Sequence, residues 1–523
     1  MNAFMTDGGT FLVNQARRFH RTYAGGKRLF VFVAVALAGL GGCVSPTVIS
    51  DRQLARQISA ADSAYQDLRP DNVAAYNRAL SAIALEMDRI SPGEFRIRLA
   101  ALGVTLDLPA MPLPLVRLHA VQQVPTYVAD SAIGAAMIVE YDTSLAPLYP
   151  PEGLLMPATL VYTRIEERPH MVVIQAERRA MVNDADFPLS VDFSAPGLMT
   201  ARRARRLARS GFSSMVRPAH IVRNPQIYLI DPYDPGRIPI LMVHGLSSSP
   251  VAFVDLVNAL RSDPVVSRHY QIWHFHYANG LPVMANAFVL REILARTIRE
   301  VDPLDHDRAT REIVVLGHSM GGVISHTLVS SSGDQLWSSL FKVPPGELQG
   351  DRETIKGLHR IMRFERNPRV VRVIFMSSPH RGSPVSDSWL GALANFMSRV
   401  PAFLETGLND LARSNPDAMT PEGAAFYDGE RFTAVRTLSA RSRTLMALAR
   451  LPIEVPFHTI VGQHRPGPRE LGSDGVVPYA SSHLDGAASE LVVKSGHRTF
   501  KDPDAIREVI RILRLAVPEE EDD

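Results

Sequence analysis

Hydrophobic and polar positions alternate in blocks through the second half of the chain. From about residue 220, short apolar runs, which predict strands, alternate with stretches whose apolar residues recur every three or four positions, which predict helices. The candidate strands are 226–230, 239–243, 271–276, 312–316, 371–376, 457–461 and 490–493. Strands that alternate with helices are typical of a mostly parallel sheet with helices on both faces. The predicted fold class is therefore α/β, with one such domain over residues 220–515.

The region before residue 220 shows a different pattern. Apolar residues at mixed three- and four-residue spacing predict helices over 52–68 and 72–89, whereas 121–179 contains β-like runs. We therefore expect an N-terminal α+β accessory region over residues 44–219. It either positions the following domain and shapes access to it, or covers an edge of its sheet.

Two segments of the second half do not follow the alternation. In the long interval after the fifth candidate strand, apolar residues from Trp389 to Leu404 recur at helical spacing. Such an amphipathic insertion, placed at about 384–455, is either a cap or lid over a pocket or a connecting helix whose apolar side faces the sheet. The last residues, 516–523, form an acidic tail that is predicted to be disordered.

The candidate chemistry begins with the pentapeptide Gly-His-Ser-Met-Gly at residues 317–321, between a predicted strand and a predicted helix. In a strand–turn–helix element, the central serine is held in a strained backbone conformation, and the flanking glycines remove side chains that would clash. The hydroxyl of Ser319 would then stand exposed at the carboxyl end of the sheet and at the N-terminus of a helix. The pattern predicts a nucleophile elbow with Ser319 as the nucleophile.

A serine hydroxyl needs a base, and the base needs an acid that orients it. In this arrangement both are expected after the serine, the acid first. Asp474 and His497 each lie in a loop that follows a candidate strand, so both should reach the sheet edge where Ser319 stands. His483 is the serious rival of His497, which is preferred because Gly496 ends a strand just before it. The rivals of Asp474 are Asp387, Asp485 and Asp502.

Acyl transfer passes through a tetrahedral oxyanion, which two preorganised N–H groups stabilise. The residue after the nucleophile supplies one of them, which assigns the N–H of Met320. The loop after an early strand supplies the other, and the N–H of Leu246 is the best placed. The preceding Gly245 would let this loop approach a substrate closely. This set of groups requires no metal and no organic cofactor.

Together these pieces resemble the α/β-hydrolases of the lipase/esterase group, near the bacterial triacylglycerol lipases and the GPI inositol-deacylase-like family. The matching motifs appear in family order at 243–246, 317–322, 377–383, 473–478 and 495–497. The resemblance implies an α/β-hydrolase fold and cleavage of carboxylic esters through an acyl-enzyme, with Ser319, Asp474 and His497 as the catalytic residues. The calcium-binding aspartate that several bacterial lipases place after the histidine is not carried over, because Arg498 and Lys501 make this surrounding basic.

The front of the chain carries a targeting signal. Lys27 and Arg28 precede a twelve-residue apolar run, 29–40, which is followed by Gly-Gly-Cys. These features are typical of a signal peptide, and the run is shorter than the roughly 20 apolar residues of a membrane-spanning helix. The ending resembles a bacterial lipobox, which implies a signal peptide over 1–43 and lipidation of Cys43, the only cysteine in the sequence. The alternative is an ordinary signal peptide or anchor with an incidental cysteine.

The composition and net charge limit the classes of binding partner to be expected. Hydrophobic content of 46% and charged content of 21% are ordinary for a globular protein, and a net charge of +2 argues against a nucleic-acid partner. The expected partners are an acyl ester or lipid and, through Cys43, a membrane. No aspartate follows Cys43, which favours the outer membrane over the inner one. The oligomeric state is not predicted.

Three functional hypotheses stay open. The first is a lipid-anchored esterase or lipase that acts on acyl esters at the bacterial cell envelope. The second is an acyltransferase that uses the same three residues but passes the acyl group to a lipid or sugar hydroxyl. The third is a non-catalytic surface lipoprotein whose hydrolase-like domain binds or scaffolds.

Overall fold

The computed structural model describes residues 49–122, 131–209, 225–246, 248–277, 281–383, 409–427 and 437–517. The elements named below belong to one of the chain's two compact units, Ser50–Asp523. The predicted signal peptide with Cys43, the amphipathic segment from Trp389 to Leu404 and most of the acidic tail lie outside the described residues. Within the described ranges, no helix has both the length and the apolar character needed to cross a membrane.

The N-terminal region opens with three helices that pack onto a sheet. The helices are α1 (Asp51–Gln66), α2 (Ala74–Met87) and α3 (Pro92–Ala101). The strands are β1 (Thr105–Asp107), β2 (Leu115–Ala120), β3 (Ala135–Tyr141), β4 (Leu154–Ile165) and β5 (Arg168–Gln175), followed by the hairpin β6 (Arg179–Val182) and β7 (Ala185–Pro188) and by helix α4 (Ala195–Arg209). Along α1, Leu54, Ile58, Ala61 and Tyr65 form one buried face, as the helical spacing in the sequence predicts.

This sheet has the strand order β1-β5-β4-β3-β2, and only the pair β1–β5 is parallel. Tyr76 of α2 fastens to β4, because its hydroxyl donates to the carbonyl of Tyr162 at 2.5 Å and accepts from the N–H of Tyr162 at 2.7 Å. Asp62 of α1 accepts from the Tyr162 hydroxyl at 2.7 Å and from Arg164 at 2.8 Å. The predicted N-terminal region of helices and strands is thus confirmed.

The second half supplies the larger sheet. Its strands are β8 (Gln226–Leu229), β9 (Ile238–Val243), β10 (Tyr270–His276), β11 (Ile313–His318), β12 (Val370–Met376), β13 (Phe457–Gly462) and β14 (Ser489–Val493). The helices are α5 (Val254–Ser262), α6 (Pro264–His269), α7 (Val283–Val301), α8 (Arg308–Arg311), α9 (Met320–His326), α10 (Gln335–Leu340), α11 (Arg352–Met362), α12 (Pro421–Tyr427), α13 (Arg443–Ala449), α14 (Tyr479–Ser482) and α15 (Pro503–Arg514). Short 3₁₀ helices lie at Pro250–Phe253, Pro345–Glu347, Pro416–Ala418, Arg469–Leu471 and Thr499–Lys501.

These strands form one sheet in the order β14-β13-β12-β11-β9-β10-β8, parallel except for the pair β8–β10. Alternate residues of a strand face opposite sides. In β9, Leu241 and Val243 belong to a core with α7 and α9, whereas Ile240 and Met242 belong to a second core with α5 and α15. Both faces need apolar side chains, so such strands appear in the sequence as unbroken apolar runs. The predicted α/β fold, with helices on both faces of a mostly parallel sheet, is confirmed.

The N-terminal region contacts the β8 edge of the larger sheet. The N–H of Leu229, at the end of β8, donates to the carbonyl of Leu148 at 2.8 Å. The guanidinium of Arg178 donates to the carbonyl of Arg261 in α5 at 2.6 Å and lies over the ring of Phe193. The region therefore covers part of an edge strand whose backbone would otherwise meet solvent.

The described part of the predicted insertion, 409–427 and 437–455, packs into the larger domain. Leu445 and Leu448 of α13 lie in the same buried core as Leu241 of β9. This part is structural. The segment that could act as a lid falls outside the described residues.

Candidate active site

Ser319 occupies the turn between β11 and α9. Its backbone angles, φ 55° and ψ −128°, lie outside the regions that L-residues ordinarily adopt. Close packing leaves no room for side chains beside it. A Cβ on Gly321 would come within 2.1 Å of the Val243 carbonyl oxygen, and a Cβ on Gly317 within 2.5 Å of Gly322 Cα. The strained serine is thus fixed between two glycines at the carboxyl end of a central strand.

His497 lies within hydrogen-bond reach of this serine. It follows β14 and stands at the same sheet edge, where its Nε2 is 2.9 Å from Ser319 Oγ. Its Nδ1 is 2.7 Å from Asp474 Oδ2. Hydroxyl, imidazole and carboxylate therefore stand in a row, which is the geometry that lets an imidazole accept the hydroxyl proton.

Asp474 is a buried carboxylate in the loop after β13. Its Oδ1 accepts from the N–H groups of Val476 at 2.8 Å and Val477 at 2.7 Å, while Oδ2 faces His497. Burial by itself would raise the pKa of Asp474, but the hydrogen bond and charge of His497 and the two N–H donors outweigh it and hold the pKa below its ordinary value. An ionised carboxylate here keeps the proton of His497 on Nδ1 and leaves Nε2 free to accept from Ser319.

The structure separates the rival residues from this group. His483 binds Glu490 at 2.6 Å and Asp485 at 3.2 Å instead. Asp502 caps α15 by accepting from the N–H groups of residues 504 and 505. Asp387 lies outside the described residues. Of the candidates, the structure brings together Ser319, Asp474 and His497.

Met320, one of the two residues predicted to donate to the oxyanion, follows the serine directly, and Leu246, the other, lies in a loop that packs against it. Met320 is the first residue of α9, where a backbone N–H has no acceptor within the helix. Leu246 follows Gly245 in the loop after β9, and this loop passes close to the nucleophile. A Cβ on Gly245 would come within 2.8 Å of Ser319 Cβ. The N-terminal end of α9 also carries a partial positive charge, which favours an oxyanion there.

His318 is a site residue to which sequence reasoning gave no role. Its Nε2–H donates to the backbone carbonyl of His497 at 2.7 Å, and its ring meets Phe500 edge to face at 4.7 Å. Burial, followed by the nearby His497, lowers the pKa of His318 to about 3, so the ring is neutral. His318 thus anchors the loop of the base to the elbow. The sequence shows a histidine in the motif, but nothing in it pairs this residue with a carbonyl 179 residues away.

An open groove of about 620 Å³ adjoins the acid–base pair. Its walls include His464, Arg498 and Lys501, and the ammonium of Lys501 is paired with Asp255 at 3.2 Å. In the part of the chain that the structure describes, no three His, Cys, Asp or Glu side chains come together as metal ligands. The chemistry that the site can perform with its own groups is acyl transfer to and from Ser319.

Comparison with known proteins gives a family match. The sequence model of the alpha/beta hydrolase family matches residues 240–509, just over half of the chain and including all three residues of the row. No curated protein matches the sequence. Similar solved structures include the mature lipase BlEst2 of Bacillus licheniformis (17% identity, 55% of this chain, 97% of that chain, TM-score 0.31) and a Staphylococcus hyicus lipase (12%, 55%, 97%, 0.30). A metagenomic carboxyl esterase is similar at 18% identity, with 54% of this chain and 77% of that chain covered and a TM-score of 0.30.

Proposed function

Since this chain belongs to the alpha/beta hydrolase family, we propose that it cleaves carboxylic esters of acyl or lipid type with Ser319 as the nucleophile. The observation that carries this proposal is the row of hydrogen bonds from Ser319 through His497 to Asp474, mounted on a strained turn at a helix N-terminus. A nucleophile, its base, an orienting carboxylate and backbone donors are the parts that ester cleavage needs. All of them lie at one edge of the sheet.

The mechanism follows from the distances. As Ser319 Oγ attacks the ester carbonyl carbon, its proton passes to His497 Nε2, and Asp474 stabilises the resulting imidazolium. The carbonyl oxygen takes up the negative charge beside the N–H groups of Met320 and Leu246. When the intermediate collapses, the C–O bond to the alcohol breaks and His497 gives its proton to the leaving alkoxide. Water then attacks the acyl-enzyme with His497 again as the base, and the carboxylic acid and free serine are regenerated.

The test is hydrolysis of p-nitrophenyl esters of graded acyl length by the detergent-solubilised full chain. Ser319→Ala should lower turnover by at least about 10⁴-fold. Ser325→Ala is the matched control, because Ser325 is a buried serine of the same helix whose hydroxyl donates to a backbone carbonyl at 2.7 Å. It should keep turnover within a few-fold. Retained turnover in folded Ser319→Ala would contradict the assignment.

The same assay separates the remaining hypotheses. The acyl-length profile distinguishes a short-chain esterase from a lipase. If every ester stays intact while a fluorophosphonate still labels Ser319, the nucleophile works, and the protein is either an acyltransferase that needs another acceptor or a hydrolase of narrow specificity. A folded protein with neither turnover nor labelling would favour the non-catalytic lipoprotein.

We further propose that the enzyme is anchored at the bacterial cell envelope through lipidated Cys43. The support is the basic residues, apolar run and Leu-Gly-Gly-Cys ending of residues 27–43. Metabolic labelling with a fatty-acid analogue should mark the wild-type protein and not Cys43→Ser. Because Cys43 is the only cysteine in the sequence, label that persists in the variant would contradict attachment to a thiol.

A further inference from the structure

The loop that carries Leu246 is held by a stack of rings. His244 is the first residue after β9 and Tyr277 the first after β10, and the parallel pairing of these strands, with Val243 opposite Phe275, brings the two loops together. Their rings stack with centroids 4.4 Å apart and planes inclined by 17°. The Tyr277 hydroxyl donates to the carbonyl of His244 at 2.5 Å. On its other side the tyrosine ring stacks on Phe275 at 5.0 Å, which fixes its position.

The His244 side chain, held by this stack, in turn orients the carbonyl of Gly245. Its Nδ1 lies 3.0 Å from the carbonyl oxygen of Gly245. Burial lowers the pKa of His244 to about 3, so the ring is neutral and donates its one proton from Nδ1 to this carbonyl. Within the described structure the buried Nε2 has no hydrogen-bond partner. The orientation of the imidazole therefore depends on this bond and on the stack with Tyr277.

Because the peptide bond is trans, the fixed orientation of the Gly245 carbonyl also fixes the direction of the next N–H group. The carbonyl of one residue and the N–H of the next point to opposite sides of the chain. When the Gly245 carbonyl turns toward His244, the N–H of Leu246 turns away from it. Gly245 itself packs on the nucleophile, since a Cβ there would come within 2.8 Å of Ser319 Cβ. The two rings thus set the direction of the Leu246 N–H, which belongs to the loop that packs against Ser319.

We infer that Tyr277, acting through His244, is a positioning residue for the oxyanion hole because it fixes the N–H of Leu246. This inference rests on the proposed function. Tyr277 is 2% exposed and His244 is 1% exposed, so they act through the loop. Removing an oxyanion donor outright costs about 10²–10³ in kcat. Loosening one donor should cost less, about tenfold.

The test compares Tyr277→Phe with Tyr270→Phe. Tyr270, the first residue of β10, is also 2% exposed, and its hydroxyl donates to the Leu513 carbonyl at 2.8 Å. Each variant loses one buried hydrogen bond from tyrosine to a carbonyl and keeps the ring. The measurements are kcat and KM on a p-nitrophenyl ester, the melting temperature, and inhibition by a trifluoromethyl ketone. The hemiketal oxygen of that inhibitor carries the negative charge that the tetrahedral intermediate places in the oxyanion hole.

We expect Tyr277→Phe to lower kcat about tenfold and to leave KM within about twofold of the wild-type value. The affinity for the ketone inhibitor should fall by a factor similar to that in kcat. Tyr270→Phe should lower the melting temperature to a similar extent and change neither kcat nor ketone affinity. Wild-type kcat in Tyr277→Phe, equal losses of kcat in both variants, or unchanged ketone affinity would overturn the inference. A wild-type protein without ester turnover, or with turnover that survives Ser319→Ala, would overturn the proposed function and the inference with it.

Discussion

The N-terminal region and the larger sheet both contain residues with positive φ, but these residues serve different purposes. In the N-terminal region, Glu166 and Glu167 join β4 to β5 of the five-stranded sheet, with φ of 49° and 62°, and Asn183 and Asp184 join β6 to β7 in a separate two-stranded sheet, with φ of 51° and 59°. Two such residues in succession make the tight turn that reverses an antiparallel pair. In the larger sheet, Ser319 has φ 55° at the end of β11. There the positive φ is combined with a ψ of −128°, and this strained conformation presents a hydroxyl at the sheet edge and leads into a helix.

Strand direction explains the difference. Antiparallel neighbours can be joined by a turn of two residues, which is too short to carry a set of functional side chains. Parallel neighbours need long crossover connections. The parallel strands of the larger sheet therefore all end at one edge, and their loops bring Asp474 and His497 to Ser319. We expect substitutions in these loops to change turnover, and substitutions in the N-terminal sheet to change stability alone. The predictions below test this division.

Replacing Asp474 with asparagine should have the largest effect. An amide carries no negative charge to stabilise the imidazolium and no longer imposes the tautomer with the proton on Nδ1. We expect kcat to fall about 10³–10⁴-fold. Steady-state kinetics on the best p-nitrophenyl ester measure it.

Asp62→Asn, in helix α1 beside strand β4, is the matched change in the N-terminal region. Like Asp474, Asp62 accepts hydrogen bonds, here from the charged Arg164 side chain and from the neutral Tyr162 hydroxyl. This variant should melt at a lower temperature and keep kcat within about twofold. If both asparagine variants lowered kcat alike, the division between the two sheets would be wrong.

Acid should destabilise the larger domain through its buried histidines. Burial is the main cause that lowers their pKa, to about 3 for His244, His274 and His318, to about 4 for His326 and well below its ordinary value for His380. An unfolded histidine titrates near pH 6.5, so below that pH the unfolded state takes up protons that the folded state does not, and the free energy of unfolding falls. At pH 6.0 each histidine should cost about 0.8 kcal/mol, or about 4 kcal/mol for the five.

Urea unfolding at pH 7.5 and pH 6.0 measures this loss. His326→Gln should reduce the pH-dependent part by the share of one histidine, whatever it does to stability at pH 7.5. Equal free energies of unfolding for the wild type at both pH values would show that these histidines are not held neutral.

Glu140→Gln should act on stability alone. Glu140 of β3 accepts from Arg203 of α4 at 2.8 and 2.9 Å and meets His119 Nε2 at 2.6 Å. The bonds from Arg203 come first among the causes that lower the pKa of Glu140 to about 2, against the opposing effect of burial. We expect the variant to lose about 2 kcal/mol of unfolding free energy at pH 7, as measured by urea, with kcat unchanged.

The pH dependence gives this prediction its control. The stability that an ionised Glu140 contributes is complete above about pH 4.5 and is lost as the pH falls toward 2. The difference between the variant and the wild type should therefore shrink over that range. A difference that stays constant, or a change in kcat, would contradict the assigned role.

The smallest effect should come from the turn between β4 and β5. Glutamate is poorly suited to two successive left-handed positions, whereas Asn-Gly is the preferred pair there. The double variant Glu166→Asn, Glu167→Gly should raise the free energy of unfolding by about 1 kcal/mol and leave turnover as it was. An unchanged or lower melting temperature would mean that these residues contribute something beyond the turn.

The strands of the larger sheet could be predicted because a strand that is buried on both faces needs apolar residues at successive positions. Every residue of β9, β11 and β13 is buried. In the sequence β9 and β11 are largely apolar runs and β13 is a β-rich run that includes His458 and Thr459, and the observed bounds differ from the predicted ones by no more than two residues. The turn at Glu166 and Glu167 could not be predicted, because neither residue type signals a turn. The parallel pairing of β1 with β5 likewise rests on contacts that no local pattern encodes.

The row of Ser319, Asp474 and His497 was predicted from order along the chain, since polar residues that follow parallel strands meet at one edge. Their catalytic roles stay predictions until turnover is measured. Contacts made by buried polar groups were not predictable. His318 and Tyr277 find their carbonyl partners only after distant strands pair, and the same apolar surroundings would suit a histidine or tyrosine with no such partner.

The hydrogen bond between Ser319 and His497 closes a loop of 178 residues. Among the described residues, β14 is the last strand in sequence order and one of the two edge strands of the sheet, and His497 follows it. A ribosome that has delivered the nucleophile must still deliver the acid, the final strand and the base. A nascent or C-terminally clipped copy would thus hold a serine without its base. By the proposed mechanism, only fully synthesised molecules would hydrolyse esters. The chain would therefore have no hydrolytic activity while it is being made.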